Sequence, residues 1–102
     1  MYPLGAEIPA MEEDRIGEVE EYDRASGQLL IRLEHGSIHR GETLHFKDPS
    51  LDVLQRIERL LVGARSRSEA HEGQEVLVPT EFAVPRKAQV YLVRNEFPGE
   101  EY

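Results

Sequence analysis

"HGSIHRGETLHF", residues 35–46, can be read as chemistry or as architecture, and the two readings lead to different folds. It holds three of the chain's four histidines, His35, His39 and His45, and so raises a metal site or a proton relay. It also holds Gly36 and Gly41 around a short polar loop, followed by Leu44 and Phe46 alternating with His45. That alternation is the period of a strand with one buried face. The same order recurs in "SEAHEGQEVLV", residues 68–78: a polar lead-in, a glycine, an acid or amide, then an alternating apolar run. Each glycine suits a backbone turn that a side chain would strain. Zinc needs three or four converging ligands. His35 and His39 instead flank a loop glycine, His45 points away from the apolar face, and His71 lies in a separate turn. The stretch reads as architecture, with no metal and no cofactor expected.

Further strands follow on either side. "QLLIRLE" (28–34) alternates Leu29, Ile31 and Leu33, while "EVLVPT" (75–80) and "QVYLVR" (89–94) are rich in strand-favouring residues. "RASG" (24–27) is a tight turn. "IGEVEEYD" (16–23) is ambiguous, because Ile16, Val19 and Tyr22 recur every third residue. "DPSLDVLQRIERLLVGA" (48–64) supports two readings. Locally it is a helix, with Asp48 as cap, Pro49 in the first turn and Gly63 as terminator. Yet Val53, Ile57 and Leu61 also share one strand face. Several short strands between turn signals indicate an all-β barrel or sandwich.

At 102 residues without cysteine, one domain free of disulfides is expected. No apolar run reaches the roughly 20 residues of a membrane helix, and the first residues lack the pattern of a signal peptide. A cytoplasmic protein with no membrane association is the simplest expectation. The net charge of −8 is concentrated at the ends. Residues 1–24 hold eight acids against two arginines, whereas 25–94 hold ten basic and nine acidic residues. Residues 1–15 are expected as an irregular arm, 16–94 as the folded domain and 95–102 as an acidic flexible tail.

The glycine motifs carry a resemblance. "IGEVEEYDRASGQLLIRLEHGSIHRGETLHF" resembles the opening of the second domain of translation elongation factor Tu and its relatives. Gly36, Ile38, Gly41, Glu42 and Leu44 match its Gly-x-Ile/Leu-x-x-Gly-Asp/Glu-x-Leu/Ile signature. Ile57 and Glu58 match a following Val/Ile-Glu pair; Ala70, Gly73 and Val76 match a later Ala-x-x-Gly-Asp/Glu-x-Val; Val90 and Tyr91 match a closing strand. Small translation-factor-like proteins and the C-terminal barrel of collagenase-like peptidases are similar in the same way. The resemblance spans about residues 15–94. It implies a small closed antiparallel β-barrel of about six strands, with 51–62 a strand rather than a helix. Where the family turns through Gly-Asp before its closing strand, Lys87 and Ala88 stand here.

The resemblance also bears on function. In elongation factor Tu this domain helps hold the aminoacylated end of transfer RNA, and Glu58 matches a position near that pocket. Glu75 stands where the factor has an asparagine. No Gly-x-x-x-x-Gly-Lys-Ser/Thr loop exists, so no nucleotide triphosphate binding is expected. No serine sits in a Gly-x-Ser-x-Gly elbow, and no catalytic residues are assigned. Arg65 and Arg67, two apart, share a side of a strand and could meet phosphate or an acidic partner. The expected function is a non-catalytic binding module for RNA or a ribonucleoprotein, with Glu58, Arg65 and Arg67 as contacts and Gly36, Gly41, Glu42 and Gly73 as fold signature. The alternative is a protein-interaction module serving a separately encoded enzyme such as a collagenase-like peptidase. The acidic balance slightly favours the alternative; the family resemblance favours the RNA reading.

Overall fold

The computed structural model describes residues 12–95, and every described element is a strand. In chain order these are β1 (Glu12–Asp23), β2 (Gln28–Leu33), β3 (Ser37–His39), β4 (Thr43–Asp48), β5 (Leu51–Arg56), β6 (Leu60–Val62), β7 (Arg65–Arg67), β8 (Glu69–His71), β9 (Glu75–Pro79) and β10 (Gln89–Asn95). Eight of them form one antiparallel sheet in the order β5-β4-β10-β1-β2-β9-β6-β7, and β3 pairs with β8 in a second small sheet. The all-β expectation holds; the closed six-strand barrel does not. Among the described residues no ladder joins β5 to β7, so the large sheet keeps two edges. The break lies at Ile57–Arg59, which leave the strand and carry the chain from one edge toward the other.

The small sheet is tied to that break. Gly41 N–H donates to Ile57 O at 2.8 Å, Ile57 N–H donates to Glu42 O at 2.8 Å, and Arg40 N–H donates to Ser68 O at 3.0 Å. Ile57 is buried in the core, which is why this linker is anchored although it pairs with no strand. The helix read locally in 48–64 is therefore overruled, and the continuous strand over 51–62 becomes two strands, β5 and β6. Gly63 ends no helix. With Ala64 it forms a two-residue hairpin turn in which both residues have positive φ, 58° and 67°.

The two glycine motifs fold alike. His39 O accepts from Glu42 N–H at 3.2 Å, and His71 O accepts from Gln74 N–H at 3.1 Å. Gly41 and Gly73 occupy the third position of these turns with φ of 94° and 90°, the left-handed conformation a type II turn requires there. The residue after each glycine then reaches back: Glu42 Oε1 accepts from His39 N–H at 2.6 Å and Gln74 Oε1 from His71 N–H at 2.8 Å. That is the physical content of the acid-or-amide position in the motif.

The core lies on one face of the large sheet and under the small one. Leu29, Ile31 and Leu33 of β2, Val76 and Val78 of β9, Leu44 and Phe46 of β4, Val90 of β10 and Leu60 of β6 are all buried, with Ile38 and Ala70 contributed by β3 and β8. Each such aliphatic side chain contributes about 1.5–3 kcal/mol by leaving water. The expected arm at 1–15 lies outside the described residues up to residue 11, and Glu12–Arg15 already belong to β1. The expected tail lies outside them from residue 96.

The threefold spacing in β1 also has a cause. Its register against β10 shifts between Arg15 and Gly17, and against β2 between Val19 and Glu21. Each bulge inserts a residue and restarts the alternation, so Ile16, Val19 and Tyr22 all turn toward the core.

Candidate functional site

Glu58 lies in the exposed linker between β5 and β6. Arg65 and Arg67 lie on β7, opposite Val62 and Leu60, and all three residues of β7 are exposed. The two arginines share one side of this edge strand, and Glu58 sits two residues before Arg67's partner. Arg56, in contrast, lies on β5, at the other end of the strand order, and pairs with Thr43 of β4. Arg65 and Arg67 thus share one sheet edge, while Glu58 lies in the linker before β6, and the arginines form no extended basic stripe.

The histidines divide into three environments. His35 is exposed. His39 and His71 converge on one carboxylate: His39 Nε2 lies 2.9 Å from Glu69 Oε1, and His71 Nε2 lies 3.1 Å from Glu69 Oε2. Among the described residues no group of three or more acidic or histidine side chains is placed to hold a metal ion.

His45 departs from the sequence reading. It does point away from the core, as the alternation requires, yet it is only 6% exposed. Its Nδ1 lies 2.7 Å from Glu13 Oε1 of β1, and its Nε2 bonds Asp52 of β5. Tyr91 of β10 packs beside it, ring centroids 6.1 Å apart, with the Lys47 ammonium 5.5 Å from the Tyr91 ring centre. Burial opposes the charged imidazolium, but the hydrogen bonds and charges of Asp52 and Glu13 outweigh it and raise the His45 pKa. The contact with His45 in turn lowers the Asp52 carboxyl below its ordinary range. Alternation alone could not show that β1 and β5 would fold a carboxylate over each ring nitrogen.

A second polar network lies on the outer face of β1, β2 and β9. Register places Arg32 beside Glu18 on one side and Glu75 on the other. Arg32 forms an ion pair with Glu20 and reaches Glu75 at 3.7 Å. The hydrogen bond and negative charge of Glu20 push the Glu75 carboxyl upward, against the pull of Arg32. One arginine therefore serves more carboxylates than it can neutralise. Glu75, at the position where the resemblance puts an asparagine, belongs to this acidic group.

No protein-family model and no curated protein sequence matches the chain. Solved structures do. The C-terminal domain of a Geobacillus thermoleovorans protein classed as a U32 peptidase aligns with a TM-score of 0.72 and 18% identity, over 78% of this chain and 92% of that one. Its selenomethionine form aligns with a TM-score of 0.70 and 19% identity, over 76% and 96%. This chain shares the fold of those C-terminal domains. The collagenase-like part of the sequence resemblance is thus matched at the level of fold, and these matched structures are not translation-factor domains.

Proposed function

We propose that this chain is a non-catalytic protein-binding module that serves a collagenase-like peptidase carried on a separate chain. The observation that carries this reading is the fold likeness: the chain corresponds to nearly the whole of a C-terminal domain from a protein classed as a peptidase. Electrostatics supports it over the RNA reading. Phosphate binding rests on clustered cations, whereas the outer face of β1, β2 and β9 carries Glu18, Glu20 and Glu75 around Arg32. Arg65 and Arg67 alone make a short basic edge.

The test mixes the purified chain with a U32-type catalytic domain stripped of its own C-terminal domain. Size exclusion with light scattering should show a one-to-one complex. Transfer RNA should migrate unretarded in low-salt gels with the chain present. Absence of the protein complex, together with salt-sensitive retardation of transfer RNA that Arg65→Ala/Arg67→Ala removes, would replace this reading with RNA binding.

A further inference from the structure

The strand register aligns three leucines across the outer face of the large sheet. Leu30 of β2 pairs with Leu77 of β9, and Leu77 pairs with Leu61 of β6. Their chain neighbours Leu29 and Ile31, Val76 and Val78, and Leu60 all point into the core. Alternation therefore turns the three leucines outward. They are half-buried, and none belongs to the core cluster or packs against it. An outward face of this kind is normally polar, so an unbroken leucine row over three adjacent strands needs a reason.

The row is acidic at its β1 end and on the strands alongside it. At β1 the bulge sets both Glu20 and Glu21 against Leu30, doubling the carboxylates there. Glu75, two residues along β9 from Leu77, and Glu18 flank Arg32 in the adjoining row. Four carboxylates and one arginine thus border the row, Glu20 and Glu21 at its β1 end and Glu18, Arg32 and Glu75 alongside it. Glu20 and Glu75 share the single guanidinium of Arg32, so a further cation would meet negative charge that Arg32 leaves uncompensated.

We propose that the outer face of β2, β9 and β6 is the docking surface for a protein partner that presents an apolar ridge bordered by lysine or arginine. This rests on the reading above, in which the partner is a peptidase catalytic domain. Excess negative charge beside the row selects a basic partner surface over nucleic acid. A second copy, also at net charge −8, would meet overall repulsion.

The experiment uses the full chain and the U32-type catalytic domain as probe. Leu77→Lys and Leu77→Ser should each weaken binding by roughly tenfold or more, as for a central apolar anchor. Glu20→Gln/Glu75→Gln should weaken it and flatten its salt dependence. Leu54→Lys, an exposed position on β5 at the far end of the strand order, should leave it unchanged. Circular dichroism reports whether each variant folds. Hydroxyl-radical footprinting of the parent complex, which needs no variant, should show protection of Leu30, Leu61 and Leu77. If the parent binds but the Leu77 variants bind equally well, or if protection falls elsewhere, this docking surface is wrong while the proposed function stands. If the parent does not bind, both fall. Self-association of the parent that Leu77→Lys abolishes would assign the face to a second copy instead.

Discussion

His45 links its own hairpin, β4 and β5, to β1, some thirty residues earlier in sequence. Glu13, His45 and Asp52 come from β1, β4 and β5, and the imidazole is held between the two carboxylates. The charged ring is worth most where both partners are ionised. Its folded pKa is raised, so its contribution to stability is complete below the unfolded value of about 6.5. That contribution fades as pH climbs through the elevated folded value. At the acidic end Asp52 works in the opposite sense: its lowered pKa means its share is lost as pH falls through that folded value. The melting temperature of the parent should therefore decline from mildly acidic to alkaline pH more steeply than that of His45→Gln. Parallel slopes for the two proteins across that range would remove His45 from the account. A residue whose alternation marks it as outward turned out to be among the few buried polar side chains, because its cover comes from other strands.

At the level of elements, β1 is the longest strand and the one whose register shifts against both of its neighbours. It pairs with β10 on one side and β2 on the other, and a bulge adjusts it to each. Gly17 stands at the closest approach: a Cβ built there would lie 1.9 Å from the Arg32 carbonyl oxygen. That oxygen is backbone in a central strand and cannot swing away. Gly17→Ala should cost about 3 kcal/mol or more, read as a lowered urea midpoint or loss of soluble protein, whereas Gly27→Ala, with open space around its Cβ position, should cost only the strain of its positive φ. Comparable midpoints for the two variants would refute the close-approach account. Another element shows how a turn survives without its expected glycine. Ala88 N–H donates to Pro85 O at 3.2 Å, and Lys87 takes the left-handed conformation, φ 71°. Lys87 N–H donates to Val19 O at 2.7 Å and Ala88 O accepts from Val19 N–H at 2.9 Å, so the bonds to β1 hold the turn in place of glycine. The segment 48–64 is the converse case. Its helical spacing is real, but the tie of Ile57 to Gly41 and Glu42 holds the chain extended.

The whole molecule is organised by β10, the last of the described strands, which lies between β4 and β1 inside the sheet. Removing residues 89–102 would strip the hydrogen-bonding partner from both strands and take Val90 out of the core. The truncated chain should lack the cooperative thermal transition of the parent. A sharp transition near the parent temperature would contradict that central role.

Much of this protein was determined by local sequence. The glycine motifs at 36–44 and 70–76, the turn at 24–27 and the alternation in β2, β4, β9 and β10 specify strands and turns, because side-chain period and left-handed backbone are local properties. The leucines at 30, 61 and 77 and the acids around Arg32 were equally visible as letters. Neighbourhood came from the assembled fold: strand order, the open edges, the bulges, the carboxylates over His45 and the joining of three leucines into one row. Those depend on which strands hydrogen-bond and in what register. That choice is made by the summed burial of the core and by long-range backbone bonds, and no stretch of the chain contains both sides of it.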